Sequence, residues 1–275
     1  MHKKKKLVKF IALTVLLIAL CPFLYWQNND LVISRYTYTS DLLSNSFDGF
    51  TIVQISDLHN ACFGKDQKDL LSAISRQEPD IIVITGDLIN SDDQNMENAM
   101  TFIDGAVAIA PVYFISGNHD LFTEDTCALR DQLIDAGVIV LENKVTTIQN
   151  ASGDAFNLIG LSDANLADDT LTTLCAEVDH TDLTILLAHK PQFFNEYSEN
   201  DVDLVLAGHA HGGQIRLPFI GGVFAPEQGF FPEYTAGEYQ IQDTTMIVSR
   251  GLGNSVLPFR LFNRPDIVVI TLEGK

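Results

Sequence analysis

Cysteine is scarce in this sequence, with only four among 275 residues. One of them, Cys21, falls in an apolar stretch near the N-terminus, and the other three show no metal-ligand spacing. A disulfide-held mini-domain and a cysteine-ligated zinc module are therefore excluded. Internal repeats and low-complexity tracts are also lacking, and 46% of the residues are hydrophobic, so the chain is expected to bury a sizeable core.

Acidic residues are missing from the first 29 positions, which contain five lysines, whereas all 36 Asp and Glu residues follow. Removing those five lysines from the 17 basic residues leaves 12 against 36 acids, so the rest of the chain carries a net charge of −24. Nucleic-acid binders gain affinity from basic groups that replace counterions on phosphates. A body this acidic is not expected to have a nucleic-acid partner.

The N-terminus combines its lysines with an apolar run at residues 10–26. A membrane span needs about 20 apolar residues, and flanking lysines stay on the cytoplasmic side. This pattern predicts a cytoplasmic basic tail at residues 1–6, a transmembrane anchor at 7–26 and an extracytoplasmic body, so that the protein would be a single-pass protein of the cell membrane. The alternative is a cleaved signal peptide, although residues 22–26 are too bulky for a typical cleavage site.

Residues 27–46 are expected to form a linker with an edge strand at 32–38, and residues 47–275 a single domain. Apolar, β-branched runs recur within that domain, at 50–55, 81–85, 112–115, 156–161, 183–187 and 203–206. Helical patterns separate the first three runs, at 66–77 and 96–108. Buried strands that alternate with helices predict an α/β domain with two sheets packed face to face and helices outside.

Polar side chains follow five of these runs at the point where each predicted strand ends. They are Asp57 and His59, then Asp87, then Asn118, His119 and Asp120, then His189, and finally His209 and His211. Ligands of open α/β sheets bind outside the carboxyl ends of the strands. Alone, Asn118 or Asp120 could cap a helix, and His189 could be a buried core histidine. Their joint occurrence at strand ends predicts a metal centre.

This ordered set of Asp-x-His, Gly-Asp, Gly-Asn-His-Asp, a solitary His and Gly-His-x-His resembles the calcineurin-like metallophosphoesterases over residues 50–271. The resemblance implies a four-layer fold of two mixed β-sheets between outer helices, here preceded by the transmembrane helix. Residues 56–60, 212–218, 234–237 and 249–255 further resemble a membrane-anchored bacterial branch similar to UDP-diacylglucosamine pyrophosphohydrolases. Ala210 stands where that branch more often has Thr, a difference outside the expected ligands.

The family pattern implies two divalent metal ions, one on each of two ligand sets that share a carboxylate. The first set is Asp57, His59, Asp87 and His211, and the second is Asp87, Asn118, His189 and His209. Mixed nitrogen and oxygen ligands suit Mn, Fe or Zn. The implied reaction is the attack of a metal-bridging hydroxide on phosphorus. His119 resembles the family's non-ligand histidine, which assists the leaving oxygen, and Asp120 is expected to orient it.

The predicted function is therefore hydrolysis of a phosphodiester or pyrophosphate bond in a phosphorylated small-molecule or lipid-linked substrate at the membrane or envelope. Arg216, Arg250 and Arg260 could each grip a substrate phosphate or form a surface ion pair. Two other functions stay open at this point: an envelope module whose metal site has no catalytic role, and a metal-dependent amidohydrolase. The sequence leaves the identity of the substrate and the oligomeric state undefined.

Overall fold

Two six-stranded sheets form the centre of the protein in a computed structural model that describes residues 2–92, 95–121, 126–163, 169–254 and 257–275. The strands in these ranges are Val32–Ser40 (β1), Thr51–Ile55 (β2), Ile81–Thr85 (β3), Val112–Ile115 (β4), Ile139–Val140 (β5), Lys144–Gln149 (β6), Ala155–Gly160 (β7), Thr184–Leu187 (β8), Leu204–Ala207 (β9), Arg216–Leu217 (β10), Gly221–Gly222 (β11), Phe224–Ala225 (β12), Gly229–Phe230 (β13), Gly237–Ile241 (β14), Thr244–Val248 (β15) and Asp266–Gly274 (β16). The α-helices in these ranges are His2–Asn29 (α1), Lys68–Ser75 (α2), Glu97–Val107 (α3), Asn118–Leu121 (α4), Thr126–Asp135 (α5), Thr170–Cys175 (α6) and Phe194–Ser198 (α7).

Both sheets are mixed, as predicted. The first has the order β1-β16-β2-β3-β4-β5, and its strands from β2 to β5 are parallel to one another. The second has the order β14-β15-β9-β8-β7-β6, and its strands β15, β9, β8 and β7 are parallel. The predicted edge strand is β1, which pairs with β16 at the margin of the first sheet. The strand is therefore hydrogen-bonded into the first sheet along its whole length.

The core shows why the chain folds into four layers. In β3, Ile81 and Val83 join an apolar cluster with side chains of the second sheet, whereas Ile82 and Ile84 join a cluster with α2 and α3. This alternation follows from the two-residue period of a strand. A third cluster packs the outer face of the second sheet against α6 and α7. Each fully buried Ile or Val side chain stabilises the fold by roughly 1.5–3 kcal/mol, and all four of these residues are buried.

The N-terminal helix corrects the prediction of a membrane anchor. Across the ranges that the structure describes, no helix is both long enough and apolar enough to cross a membrane. The uncharged run at residues 10–26 has 17 residues, whereas a span needs about 20. The last turns of α1 instead contact the domain, where Phe23 packs edge-on against Phe262 with ring centroids 5.9 Å apart. The prediction of a single-pass membrane protein is therefore wrong, and the argument that placed the domain outside the cell loses its basis.

Candidate metal centre

The strand ends of both sheets meet at one rim, and the backbone there is unusual. Five of the predicted site residues have positive φ values: Asp57 (52°), His59 (48°), Asp87 (53°), His209 (64°) and His211 (48°). A left-handed conformation costs a residue with a side chain on the order of 1–3 kcal/mol, and such residues cluster at functional sites. The strain turns these side chains off the ends of the strands towards a common centre, where all five are buried.

The first of two groups at this centre joins both sheets. Asp57, His59, Asp87 and His211 each offer one ligand atom, and these atoms lie within 4.8 Å of one another. His59 Nε2 lies 3.5 Å from Asp87 Oδ2, and His211 Nε2 lies 3.5 Å from Asp57 Oδ1. The Nε2 atoms of His59 and His211 are 3.1 Å apart. Ring nitrogens this close need a shared proton or cation between them.

The second group contains Asp87, His189 and His209, whose ligand atoms also lie within 4.8 Å of one another. His189 Nε2 is 3.2 Å from both Asp87 Oδ2 and His209 Nδ1. Asp87 Oδ1 accepts a hydrogen bond of 2.8 Å from the backbone N–H of His119. The oxygen shared by the two groups is therefore Oδ2, since it faces His59 on one side and His189 on the other.

Asn118 supplies a direct test of whether these residues fit metal ions. Its Oδ1 atom is buried and has no hydrogen-bond partner among the described residues. An unpaired buried amide oxygen costs about 1–3 kcal/mol, and a cation would remove that cost. Together with carboxylate and imidazole donors, such an oxygen is a ligand that divalent ions accept. The buried cluster thus fits two divalent metal ions.

Burial and charge set the protonation of the imidazoles. Burial lowers the pKa of His59 to about 4 and holds the pKa values of His209 and His211 well below the ordinary value, so these rings are neutral at physiological pH. Burial also lowers the pKa of His189, but the adjacent Asp87 carboxylate outweighs it and raises that pKa to about 10. A metal ion on His189 Nε2 would therefore have to displace a proton.

Backbone contacts hold the ligand side chains in place. His189 Nδ1 donates to the carbonyl of Thr85 at 2.7 Å, which leaves Nε2 as the nitrogen that faces the cluster. The backbone N–H of His209 donates to Asp57 Oδ1 at 3.0 Å. Glycine is required before His209, because a Cβ on Gly208 would lie 1.9 Å from Ser56 Oγ and 2.7 Å from Asp57 Oδ2.

His119 lies beside the first group, and its ring is perpendicular to that of His59 with centroids 4.7 Å apart. Its Nδ1 accepts from the backbone N–H of Ser91 at 3.3 Å and lies 3.0 Å from Ser91 Oγ. Asp120 accepts from the backbone N–H groups of Ile89 and Gly117 at 3.1 and 3.0 Å. Burial and the Asp87 carboxylate raise the pKa of Asp120 to about 7. The role of Asp120 in orienting His119 stays a prediction.

Sequence reasoning missed Ser91, which no motif singles out because it lies in the loop after β3. Of the two alternatives left open for the arginines, a phosphate grip or an ion pair, the ion pair is found for Arg250. Arg260 is 1% exposed, and its guanidinium donates to main-chain carbonyls. Arg250 forms a 3.1 Å ion pair with Asp266, and Arg216 donates to the Gly212 carbonyl. Ser255, in the fourth finer motif, lies outside the described residues.

Comparisons with known proteins agree with this geometry. Residues 50–213 match the family described as calcineurin-like phosphoesterase. The chain is 33% identical over 254 residues to an uncharacterized metallophosphoesterase, YkuE, of Bacillus subtilis, which covers 91% of this chain and 88% of the relative. It is 31% identical over 228 residues to the phosphodiesterase YaeI of Escherichia coli, covering 81% and 82%. An uncharacterized metallophosphoesterase of Aquifex aeolicus is 29% identical over 257 residues, covering 88% and 92%.

Proposed function

The chain belongs to the calcineurin-like phosphoesterase family and is a metallophosphoesterase, and we propose that it hydrolyses phosphodiester bonds at the cluster around Asp87. The observation that carries this proposal is the position of Asp87 Oδ2 between two buried ligand groups. A relative that covers most of the chain is named a phosphodiesterase, which favours diesters over other phosphate esters. The narrower resemblance to UDP-diacylglucosamine pyrophosphohydrolases makes a pyrophosphate bond the second candidate.

The proposal assigns each predicted ligand to one of two subsites. The first subsite consists of Asp57, His59, His211 and the shared Asp87. The second subsite consists of Asn118, His189, His209 and the shared Asp87. Two divalent ions, when bound there, acidify water and offset the negative charge of phosphoryl oxygens. The nitrogen and oxygen donors of the two subsites favour Mn, Fe or Zn over Ca.

The remaining work falls to side chains beside the ligands. His119 holds a proton near the first subsite, where it can be donated to the leaving oxygen of the substrate. Ser91 positions that ring through its contacts to Nδ1. Neither Arg250 nor Arg260 is proposed to bind phosphate, because both guanidinium groups are engaged with protein groups. A lipid-linked substrate is not proposed either, because that prediction depended on the membrane anchor.

The test offers chromogenic phosphate esters and a nucleoside diphosphate sugar to the purified chain with added Mn²⁺ or Zn²⁺. We expect hydrolysis of bis(p-nitrophenyl) phosphate that disappears on chelation and returns when metal is restored. The monoester p-nitrophenyl phosphate and a nucleoside diphosphate sugar should be cleaved more slowly. A faster reaction on the nucleoside diphosphate sugar than on the diester would favour a pyrophosphate as the bond that the enzyme cleaves.

Two outcomes would contradict the proposal altogether. Metal-loaded protein that binds the diester without cleaving it would indicate a binding module. Cleavage of a p-nitroanilide, with no reaction on any phosphate ester, would indicate an amidohydrolase. Asp104, which is exposed on α3, supplies a matched control, since Asp104→Asn removes a carboxylate as Asp87→Asn does but outside the cluster.

A further inference from the structure

The last turn of α1 contacts a loop that reaches the metal cluster. Asn28 Oδ1 accepts a 2.8 Å hydrogen bond from the backbone N–H of Arg260 and a 3.2 Å bond from Asn254 Nδ2. Asn28 Nδ2 donates to the carbonyl of Leu24 at 2.7 Å and lies 3.5 Å from the carbonyl of Arg260. One helical side chain therefore holds both main-chain polar groups of Arg260.

Neighbouring contacts fix the orientation of this turn. The Arg264 guanidinium lies over the Trp26 ring at 4.9 Å from its centroid, and Trp26 Nε1 donates to Asp30 Oδ2 at 2.9 Å. Arg264 also pairs with Asp30. Together with the contact between Phe23 and Phe262, these interactions leave Asn28 facing the loop rather than solvent.

Arg260 carries the contact from α1 into the interior. Nε and Nη2 donate to the Gly253 carbonyl, and Nη1 donates to the carbonyls of Arg250 and Asn263 at 2.8 and 3.5 Å. Nη2 also lies 3.4 Å from His211 Nδ1. Burial of this group is costly and lowers its pKa to about 10. The planar fork of N–H donors explains the choice of arginine, because lysine cannot reach several carbonyls in one plane.

The carbonyls that Arg260 holds belong to a loop that lies directly under Asp57. The backbone N–H groups of Leu252 and Gly253 donate to the carbonyls of Ser56 and Asp57 at 3.0 and 2.7 Å. The approach is so close that a Cβ on Gly251 would lie 2.7 Å from Asp57 Cβ. Displacement of this loop would move Asp57 on one side and release His211 on the other.

We propose that Arg260 and Asn28 are positioning residues for the first subsite, so that the last turn of α1 is a structural part of the metal centre. The inference rests on the ligand assignment of the proposed function. Its specificity follows from the contacts of Arg260 and its loop, which lead to Asp57 and His211. His209 of the second subsite is reached one contact further on, through its backbone N–H, which donates to Asp57 Oδ1. The second subsite is held differently, through the bond from His189 to the Thr85 carbonyl.

The test measures metal affinity rather than catalysis. Metal-stripped full-length protein is titrated with Co²⁺ against a competing chelator, and the two binding steps are followed by visible absorption. Asn118→Ala identifies the step that belongs to the second subsite. Arg260→Lys should weaken the other step by about 10–100-fold, the usual effect of changing a group that supports a metal ligand. Asn28→Ala should weaken the same step by about 3–10-fold.

Asn29→Ala is the matched control. Asn29 also donates to a carbonyl four residues back, that of Tyr25, but it is exposed. The Asn29→Ala variant should keep the Co²⁺ affinity of both binding steps within about twofold of that of the unchanged protein. Equal weakening of both steps by Arg260→Lys, no weakening by either variant, or equal effects of Asn28→Ala and Asn29→Ala would overturn the inference.

Circular dichroism separates misfolding from the proposed effect. Should Arg260→Lys fail to fold, Asn28→Ala still decides the question, because it leaves the guanidinium in place and removes only the link to α1. The affinity readout is independent of hydrolysis. A protein that binds both ions selectively but cleaves no phosphate ester would refute the proposed function while leaving this inference intact.

Discussion

The two subsites share one carboxylate oxygen but are built from different chemistry. The first adds a second carboxylate, Asp57, to its imidazoles, whereas the second, in the proposed assignment, has the neutral amide of Asn118 in the corresponding role. The imidazoles of the two subsites also differ in protonation. Those of the first subsite are neutral, whereas the Asp87 carboxylate keeps His189 of the second subsite protonated. A dication entering the first subsite gains a full negative charge, while one entering the second must first expel a proton.

The supports differ as well. His189 is oriented by a carbonyl at the end of β3, within the parallel strands that form the core. Asp57 and His211 depend on Arg260, which reaches back to the N-terminal helix. One subsite is therefore supported by the end of a strand in the first sheet, and the other by the loop between β15 and β16 and by the N-terminal helix.

The largest expected effect removes what the subsites have in common. Asp87→Asn should lower kcat for bis(p-nitrophenyl) phosphate by about 10³-fold or more, since the ions contribute several kcal/mol of charge stabilisation. Asn118→Ala should cost less, because only the second subsite loses a donor. Elemental analysis should show depletion of both ions in the first variant and of one in the second. Equal losses in both variants would contradict the shared role of Asp87.

His119→Ala tests whether His119 acts outside the ligand set of the first subsite. The ring touches His59 but belongs to neither ligand set. Turnover should therefore fall by at least about 10²-fold, the low end for a proton-transfer residue, while both ions remain bound. If the variant instead lost the first ion, His119 would be a support of that ligand set and not a proton donor.

Acid should separate the subsites in a binding titration. With a pKa of about 10, His189 stays protonated between pH 8 and pH 6. The metal affinity of the second binding step should therefore fall about tenfold for each unit by which the pH is lowered, and about 100-fold over the whole interval. Burial raises the pKa of Asp57 to about 6, although His189 partly offsets that rise, so the first step should weaken only about twofold to threefold. Parallel pH slopes for the two steps would show that His189 is not the group displaced.

Ser91→Ala should give the smallest effect. The variant removes the hydroxyl beside His119 Nδ1 but keeps the backbone N–H that donates to the same atom. A single hydrogen bond contributes about 0.5–1.5 kcal/mol, so kcat should fall by about 3–10-fold with the metal content unchanged. Ser91→Thr, which keeps a hydroxyl, should restore most of the rate. An effect as large as that of His119→Ala would mean that Ser91 contacts the substrate itself.

Local sequence patterns made several strands of the fold predictable. Continuous apolar runs predicted β2, β3 and β4 within a residue or so, because a strand buried on both faces needs apolar side chains at every position. Short ribbons such as β11 and β12 carry little periodicity and were not predicted. A helix was predicted at residues 7–26 as a membrane anchor, whereas α1 runs from His2 to Asn29 and its last turns pack on the domain. An apolar run alone does not distinguish these two roles.

The sequence by itself indicated the carboxylates and imidazoles that the structure brings together, because residues that follow parallel strands lie at the carboxyl ends of those strands. Only the tertiary structure decided which oxygen of Asp87 faces both groups, since the backbone of His119 occupies the other. It also decided the supports. Arg260 meets His211 from 49 residues away, and Asn28 meets Arg260 across 232 residues. Contacts at such separations depend on how whole segments pack, and no local pattern encodes them.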